Sequence, residues 1–436
     1  MPSSKSRKPA RPSDAPLRRE DESATSIAAA RATVPDRVKH VALIMDYAMS
    51  PRRRLIRGLA RYVQEHEPWA IYLTPAGVEK SLTNWLKNWD GDGVIVYAND
   101  PDATALLESK LPVVDLFGKL VSDNLPLVQA DDQAIGRLGA EHLLERGFQR
   151  FGFWEYTHPD TEWSIKRRIG FENAVIKAGF TCNVYQSAFP KPGSGGPETW
   201  ERQQRDLIHW LTRLPKPAGV MSSTDLSGQQ LLEACLRARV HVPEEIAVVG
   251  ADNDELVCRI AIPPLSSVII NDEQRGYEAA ALLDRLMAGE SAPTRPLLIE
   301  PVGVVTRAST DIMAIDDPAV AQAMRFLREH ASEDIGVDDV ARAVAVSRTV
   351  LVRRFRRLVG RSIHQEIIRQ RLNHAIQLLG DTRLELKVIA RKAGFGSQAY
   401  MNAVFQEKLG KTPGSFRNHL RLIAQDKPVE LSEAPA

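Results

Sequence analysis

Three aspartates stand just beyond short apolar runs, and this position predicts contact with a small ligand. Asp46 directly follows VKHVALIM, Asp225 follows AGVMS within three residues, and Asp252 follows IAVVG within two. Such runs, bounded by helical patterns, predict parallel strands, and ligands of open α/β sheets bind outside the carboxyl ends of the strands. Each aspartate also has a structural interpretation as a cap or loop charge. Asp225 in particular suits the N-cap of the helix that follows it.

A cluster of arginines near the C-terminus predicts contact with DNA. It comprises Arg348, Arg353, Arg354, Arg356, Arg357 and Arg361. The cluster surrounds Ser347–Leu358, which follows the short helical pattern Val337–Val344 and a turn at Ala345, as the second helix of a helix-turn-helix does. Side chains in the first turns of such a helix read base edges, and nearby arginines neutralise phosphates. A solvated basic face is the alternative, but the turn and the N-cap candidate Ser347 favour DNA contact.

A second helix-turn-helix pattern follows the first. Leu386–Lys392 predicts its first helix, and Ser397–Lys408 predicts its recognition helix. The long helical pattern Ile363–Leu379 separates the two motifs. The stretch beyond Thr310 is therefore predicted to be all-α and to carry two DNA-reading helices.

Before Thr310, strands and helices alternate. Predicted strands cover residues 38–45, 70–73, 93–97, 112–117, 150–154, 218–222, 246–250, 266–270 and 297–305. Predicted helices cover residues 52–66, 81–88, 132–146, 162–178, 198–214, 225–238 and 272–287, with a Gly-rich loop at 191–197. This alternation predicts an α/β fold of two doubly wound, parallel lobes with a ligand cleft between them.

The composition along the chain divides it into four parts. Residues 1–36 are rich in Ser, Pro, Ala and basic residues, which predicts a disordered leader. We expect a sensor domain at 37–311, a DNA-binding domain at 312–421 and a flexible tail at 422–436. Residues 41–317 have a net charge of −10 and residues 318–421 a net charge of +10. The basic part therefore binds the polyanion.

Other features exclude whole classes of protein. The three cysteines are scattered and indicate neither a disulfide framework nor a metal-binding Cys-x-x-Cys pair. No apolar run approaches the roughly 18 residues of a membrane span, and no signal-peptide core is present, so we expect a cytoplasmic protein. The common nucleotide-binding, zinc-protease and serine-hydrolase motifs are absent. We expect no catalytic residue, cofactor or metal.

The C-terminal stretch resembles AraC-type transcription regulators over about 100 residues. The resemblance rests on Ile389-Ala390, Ala393-Gly394-Phe395, Ser397, Tyr400, Phe405, Gly410, Thr412-Pro413 and Phe416-Arg417, with Ser347, Leu351, Arg353, Phe355 and Gly360 in the first motif. It implies that the two recognition helices enter successive major grooves. The DNA-reading residues that it implies, with Arg356 beside them, are Arg348, Thr349, Val352, Arg353, Ser397, Gln398, Tyr400 and Asn402. Ala403 stands where a basic residue is common, so we expect the first motif to do more of the reading.

The α/β stretch resembles the ligand-sensing core of LacI-type repressors, which shares the periplasmic sugar-binding-protein fold. The resemblance rests on Asp131, Gly136–Gly139, His142-Leu143, Arg167 before Gly170-Phe171, Asp225, Val248–Asn253 and Pro264–Val268. It implies that Arg167 and Asp252 contact sugar hydroxyls. Asp46 and Asp225 then add acceptors, Trp154 or Trp163 stacks on a sugar face, and Asp131 is a further candidate.

The order of these modules is similar to that of a family of bacterial pentose-operon activators. The similarity spans residues 38–421 and implies a sugar-responsive activator whose first-choice effector is D-xylose. It also implies that the protein pairs as a homodimer, binds promoter half-sites and recruits RNA polymerase. Another sugar is the alternative effector. A sugar-modifying enzyme is the alternative of a different class, and turnover of the bound sugar by a general base in the cleft distinguishes it.

Overall fold

The computed structural model describes residues 38–45, 50–73, 89–97, 111–118, 126–157, 162–188 and 197–424. The predicted leader, the helix at 81–88, Asp46 and most of the tail lie outside these residues. Up to residue 310 the elements are β1 Lys39–Met45, α1 Ser50–Glu65, β2 Trp69–Leu73, β3 Gly93–Tyr97, β4 Val113–Asp115, β5 Val128–Ala130, α2 Asp132–Leu144, β6 Phe151–Thr157, α3 Glu162–Lys177, β7 Cys182–Ala188, α4 Pro197–Arg213, β8 Ala218–Ser222, α5 Asp225–Arg237, β9 Ile246–Ala251, α6 Glu255–Ile260, β10 Ser266–Ile269, α7 Asp272–Met287, β11 Leu297–Ile299 and β12 Gly303–Val305.

These elements form two α/β lobes. The first lobe has a parallel sheet in the order β2-β1-β3-β4, which a bridge between Asp115 and Leu127 extends to the parallel pair β5-β11. Helices α1 and α7 pack together on this sheet. The second lobe has a sheet in the order β12-β10-β9-β8-β6-β7, in which every pair except β10-β12 is parallel. Both lobes therefore have the predicted parallel α/β character, with one antiparallel edge strand in the second lobe.

The chain crosses between the lobes in three places. It leaves the first lobe after β5, returns to it after β10, and crosses again between β11 and β12. The backbone of Asp131 donates to the carbonyl of Ile299, and that of Val302 donates to the carbonyl of Ile269, so the crossing segments are hydrogen-bonded to one another. The single strand predicted over 297–305 is thus wrong, because its two halves belong to different lobes.

Glycines allow two pairs of helices to approach closely at the cleft. A Cβ atom on Gly58 of α1 would lie 1.8 Å from a carbonyl oxygen of α7, and one on Gly276 of α7 would lie 1.9 Å from a carbonyl oxygen of α1. The second lobe has an equivalent pair. A Cβ atom on Gly136 of α2 would lie 1.8 Å from a carbonyl oxygen of α3, and one on Gly170 of α3 would lie 2.0 Å from a carbonyl oxygen of α2. Any side chain at these positions forces the helices apart. Each pair therefore holds its cleft-facing residues at a fixed separation.

The described residues beyond 311 are helical, as predicted. The helices are α8 Pro318–His330, α9 Val337–Ala343, α10 Arg348–Val359, α11 Ile363–Asp381, α12 Leu386–Lys392, α13 Gln398–Leu409 and α14 Pro413–Ala424. The apolar residues of α8, α9 and α10 pack into one cluster with those of the second lobe, while α11 to α13 share a second cluster. No described helix is long and apolar enough to cross a membrane.

Four described elements were not predicted: β5, β7, α6 and α14. Strand β7 is at the edge of its sheet and half-exposed, so its sequence CNVYQSA lacks the apolar run of a buried strand. Strand β5 and helix α6 have only three and six residues, too few for a recognisable periodicity.

Candidate functional site

Arg167 occupies the centre of the cleft between the lobes. It lies on α3 and is 6 % exposed. Its Nε donates to Oδ1 of Asp132 at 2.9 Å, and its Nη1 donates to the carbonyl of Ser223 at 2.7 Å and to Oδ1 of Asp252 at 3.3 Å. Burial alone lowers the pKa of Arg167, but the two aspartates outweigh burial and raise that pKa above its ordinary value. The guanidinium is therefore charged and held between two carboxylates.

Asp252 reaches the cleft from the carboxyl end of β9 on a strained turn. Its φ angle is +109° and that of Asn253 is +47°, a region that residues with a side chain rarely adopt. Such strain persists where the surroundings hold it. Here the Asp252 amide donates to Val268 at 3.1 Å, and its carbonyl accepts from Arg54 at 2.5 Å. Burial raises the pKa of Asp252, against the opposing effect of Arg167.

Asp225 is buried beside the turn that carries Asp252. Its Oδ1 accepts from the Ser267 hydroxyl at 2.5 Å, and its Oδ2 accepts from the backbone amide of Asp254 at 2.6 Å. Burial, followed by the negative charge of Asp252, raises the pKa of Asp225. The N-cap interpretation of Asp225 is wrong, because Thr224 caps α5 with its hydroxyl. Asp225 orders the turn of Asp252 instead.

The first lobe closes the cleft with Arg54. From α1, its Nη2 donates to the carbonyl of Asp252 and, at 3.0 Å, to Oδ2 of Asp272 at the start of α7. Asp272 also pairs with Arg275 at 3.2 Å, and Arg275 lies over the ring of Tyr97 at the end of β3, 5.5 Å from its centroid. These contacts join the carboxyl ends of both sheets, where a ligand of an open α/β fold is expected.

The remaining predicted ligand residues differ in their surroundings. The guanidinium of Arg167 lies over the ring of Trp163, 4.8 Å from its centroid, so this tryptophan belongs to the cleft. Trp154 is buried in the core of the second lobe, a placement that favours packing over stacking on a ligand. Asp131 caps α2 by accepting a backbone amide at 2.9 Å. Asp46 lies outside the described residues.

The charges of the cleft compensate one another. Three guanidinium groups alternate with three carboxylates, in the contacts of Arg54, Arg167, Arg275, Asp132, Asp252 and Asp272. A neutral molecule with several adjacent hydroxyls can donate to these carboxylates and accept from these guanidiniums without unbalancing them. The described residues contain no cluster of His, Cys, Asp and Glu suited to a metal ion. The arrangement therefore fits a polyol.

Helix α10, in the C-terminal helical part of the chain, presents a basic surface. Its exposed side is lined by Arg348, Thr349, Val352, Arg353, Arg356 and Arg357. The side chains of Arg353 and Arg356 hydrogen-bond to no described residue, whereas Nη1 of Arg348 donates to both carboxylate oxygens of Asp338 at 2.8 and 3.0 Å. Ser347 occupies the N-cap position, but its side chain makes no capping hydrogen bond to a described residue, contrary to the prediction.

Helix α13 presents a less basic surface. Ser397 caps this helix by accepting the backbone amide of Tyr400 at 3.1 Å. Tyr400 is exposed, with its ring edge against Phe395, whereas Gln398 and Asn402 are half-buried. The buried Oδ1 of Asn402 has no hydrogen-bond partner among the described residues. The four predicted DNA contacts of the second motif thus differ in access and in local role.

Comparisons with known proteins agree with both parts of this geometry. Residues 54–192 match the periplasmic binding proteins and sugar binding domain of LacI family, residues 140–310 match the periplasmic binding protein-like domain, and residues 340–419 match a helix-turn-helix domain. The xylose operon regulatory protein of Escherichia coli K12 is 33 % identical over 390 residues, which cover 87 % of this chain and 96 % of that relative. The chain belongs to the xylose operon regulatory protein family.

Two further relatives of this family agree. The xylose operon regulatory protein of Haemophilus influenzae is 31 % identical over 86 % of this chain and 97 % of its own length. A solved structure of a xylose-binding transcription activator is 31 % identical, has a TM-score of 0.73, and is matched over 88 % of this chain and 99 % of that one. Membership in the xylose operon regulatory protein family confirms the predicted periplasmic-binding-type sensor joined to an AraC-type domain. It also confirms a transcription regulator rather than an enzyme.

Several residues of the cleft in this member of the xylose operon regulatory protein family were not predicted from the sequence. Asp132, rather than the neighbouring Asp131, faces Arg167. The pair Asp131-Asp132 at the start of α2 indicated that a carboxylate could lie near the cleft. The orientation of the helix decides which of the two carboxylates faces Arg167. Arg54 and Asp272 are separated by 218 residues, so no local pattern links them.

Proposed function

We propose that this chain is a D-xylose-dependent transcription activator of pentose catabolism genes. The observation that carries the proposal is the cleft, in which Arg167 is held between Asp132 and Asp252 and the charges compensate one another. Such a site favours a neutral sugar over a sugar acid or phosphate. The proposal of xylose is supported by the names of the relatives, which include a xylose-binding transcription activator.

In this proposal, sugar hydroxyls donate to Asp252 and accept from Arg167, and Trp163 covers one face of the ring. Asp46 stays as a further candidate, Asp131 supports the site as the cap of α2, Trp154 supports it from the core, and Asp225 supports it through the Asp252 turn. A ligand that binds the closed lobes more tightly shifts the population towards closure. Closure is then transmitted to the helices of 312–421, our proposed DNA-binding domain, through their shared packing with the second lobe.

We propose that both helix-turn-helix motifs bind promoter half-sites in the cytoplasm and that the bound protein recruits RNA polymerase. The surface of α10 supplies base and phosphate contacts from Arg348, Thr349, Val352, Arg353 and Arg356. Helix α13 contributes fewer contacts, from Ser397, Gln398, Tyr400 and Asn402, because it lacks an arginine cluster. This division follows from charge, since phosphate neutralisation supplies much of DNA affinity.

We propose that the sensor pairs as a homodimer through the second lobe. Leu256, Ile260 and Ile262, on and just after α6, are 72 %, 71 % and 70 % exposed, and Leu226 of the adjoining α5 is 49 % exposed. Adjoining apolar side chains with this exposure are typical of a protein interface. Closure of the lobes alters how the two copies pair, which positions the DNA-reading helices on repeated half-sites.

A thermal-shift panel tests the proposed effector. Purified protein is melted with millimolar D-xylose, L-arabinose, D-ribose, D-glucose or D-fructose. A ligand at about 100 times its Kd stabilises the native state by roughly 2.7 kcal/mol, which raises the melting temperature measurably. We expect the largest rise with xylose. A larger rise with another sugar corrects the effector, and the absence of a rise with every sugar contradicts the sugar-binding proposal.

A further inference from the structure

A second cavity, distinct from the sugar cleft, lies between the sensor and the DNA-binding helices. Its volume is about 860 Å³, within the usual range for small-molecule sites, which form preferentially between domains. Arginines from both sides line it: Arg259 and Arg307 from the second lobe, Arg328 from α8, and Arg369 and Arg371 from α11. Such a lining suits an anion.

Among the described residues, no carboxylate lies within ion-pair distance of two of these arginines, Arg307 and Arg371. Arg307 donates from Nη1 to the carbonyl of Leu265 at 2.9 Å and from Nη2 to Oδ1 of Asn253 at 2.8 Å. Arg371 donates to two backbone carbonyls just beyond α8, at 2.7 and 2.8 Å. All four acceptors are neutral. The positive charges of Arg307 and Arg371 therefore remain available to a ligand.

The other arginines and the two acidic residues of the lining do not cancel the positive charge of Arg307 and Arg371. Arg328 pairs with Glu244 through Nη1 at 2.6 Å, but its buried Nη2 finds no acceptor in the part of the chain that the structure describes. Asp311 is already neutralised by Arg369, whose Nη1 donates to both oxygens of this carboxylate at 2.7 and 2.8 Å. Glu329 is exposed. The cavity lining thus has an excess of positive charge.

We propose that this cavity binds a small phosphate monoester, of the size of a sugar phosphate, as a second effector. Guanidinium groups bind phosphate oxygens in a two-point geometry, and a phosphate monoester offers three terminal oxygens. The available donors are those of Arg307 and Arg371. A neutral sugar gains less from this cavity because it carries no charge to pair with Arg307 and Arg371, in contrast to the charge-compensated cleft around Arg167.

The position of the cavity links such an anion to both functions. Arg307 is bonded to Asn253, the neighbour of Asp252 in the sugar cleft. Arg371 belongs to α11, the helix that connects the two helix-turn-helix motifs. An anion held by both arginines fixes α11 against the second lobe. Binding at the two sites is then coupled, and the coupling is reciprocal.

Isothermal titration calorimetry on the full chain tests the proposal. Ribose 5-phosphate, inorganic phosphate and ribose are titrated separately at constant ionic strength into wild type, Arg307→Gln, Arg307→Lys and Arg237→Gln. We expect ribose 5-phosphate to bind wild type and Arg307→Gln to weaken it about tenfold, because a charged donor pair is lost. Arg307→Lys retains the charge and should recover part of the affinity. Arg237 is on the exposed side of α5, so its variant should bind as wild type does.

Three outcomes overturn the proposal. If ribose and ribose 5-phosphate bind equally, and both are lost in Asp252→Asn, the ligand occupies the sugar cleft. If Arg237→Gln weakens phosphate binding as much as Arg307→Gln does, the loss reflects the lower overall positive charge of the protein and not a specific contact. If Arg307→Gln lowers affinity for promoter DNA without changing phosphate binding, the arginine contacts the DNA backbone. The thermal shift of Arg307→Gln with xylose, measured separately, reports on the sugar site independently.

Discussion

Asp252 combines a strained backbone with a buried ion pair, and the two features depend on each other. A φ angle of +109° costs energy in a residue with a side chain, and Asp and Asn tolerate this region better than bulkier residues do. The turn holds this conformation because Asp225 accepts from Asp254 and Arg54 donates to Asp252. The carboxylate is thereby fixed 3.3 Å from Arg167, ready to accept from a ligand.

We expect Asp252→Asn to lower sugar affinity about 10- to 100-fold, since a charge-assisted hydrogen bond contributes roughly 1.5–3 kcal/mol. Asparagine keeps the shape and tolerates the backbone strain, and Arg167 keeps its bond to Asp132, so the fold should persist. Calorimetric titration with xylose measures the effect. Non-specific DNA binding should be unchanged, and an unchanged sugar affinity contradicts the role of Asp252.

Asp131→Ala contrasts with Asp252→Asn, because Asp131 is adjacent to Asp132, the partner of Arg167, but does not itself face Arg167. Because Asp131 caps α2, its loss should lower the free energy of unfolding by about 1 kcal/mol. We expect sugar affinity to change by less than about twofold. Thermal unfolding and the same titration measure both quantities. A large loss of sugar affinity at unchanged stability would instead identify Asp131 as a ligand contact.

At the scale of elements, α10 separates exposed arginines from arginines that pair with other helices. Leu351 and Phe355 are buried in the cluster that α10 shares with the second lobe, so the helix cannot rotate without exposing them. Arg353 therefore points outward, while Arg354 pairs with Asp317 at the start of α8 at 3.3 Å. Adjacent residues of one helix thus differ in function because they lie about 100° apart around its axis.

We expect Arg353→Ala to weaken binding to the cognate promoter about 10- to 100-fold while changing non-specific binding much less, as the loss of a two-point base contact does. Arg354→Ala is the matched control on the same helix, and it should affect stability rather than sequence preference. Gel-shift titrations with specific and scrambled duplexes measure the ratio. Equal losses on both duplexes would make Arg353 a phosphate contact.

Helix α2 contributes a pH-dependent contact near the junction with the DNA-binding helices. His142 is buried, and its Nε2 lies 2.7 Å from the hydroxyl of Thr310. Burial, with a smaller effect from Arg146, lowers the pKa of His142 to about 3. The unfolded chain therefore binds a proton at this residue between about pH 6.5 and 3, while the native state does not. Stability is complete above pH 6.5 and falls as the pH falls through this window.

We expect this single group to remove about 2 kcal/mol of stability between pH 7 and pH 5, from roughly 1.5 pH units at 1.36 kcal/mol each. His142→Gln keeps a hydrogen-bonding side chain but cannot titrate. Its unfolding free energy should therefore fall less over the same interval. Denaturant unfolding of both proteins at the two pH values measures the difference. Equal falls would show that other groups carry the acid sensitivity.

At the scale of the whole molecule, two interfaces join three bodies. The lobes are joined by three crossing segments and by the contacts of Arg54. The second lobe and α8 to α10 share an apolar cluster, with ion pairs such as Arg328–Glu244 and Arg369–Asp311 at its border. In the proposed mechanism, a change of lobe angle therefore reaches α8 to α10 through packed side chains.

We expect the double change Leu256→Asp and Ile260→Asp to dissociate the proposed homodimer, because two charges then enter an apolar interface. Both residues are strongly exposed in the single chain, so the fold and sugar affinity should be retained. Sedimentation or light scattering measures the mass, and promoter affinity should fall with it. Ile176→Asp, an equally apolar and 62 % exposed position on α3, is the control. A dimer that survives the double change contradicts this interface.

Arg167 became a candidate through the resemblance to LacI-type repressors. The sequence by itself determined the alternation of strands and helices, both helix-turn-helix motifs and the strand-end position of Asp252. These features are encoded locally, because apolar periodicity, capping residues and turns act over a few positions. The outward positions of α10 were predictable for the same reason. The N-cap interpretation of Asp225 was wrong, because the oxygens of Asp225 accept from Ser267 and Asp254, and these contacts are visible only in the folded structure.

The tertiary structure alone decided which distant residues meet. It brought Arg54 to Asp272 and Asp252, selected Asp132 over Asp131 as the partner of Arg167, divided residues 297–305 between two lobes, and placed Arg307 and Arg371 on one cavity. The physical reason is that these contacts depend on how helices pack across the sheet and across the domain junction. Their energies come from partners far apart in the chain, and no local pattern records them.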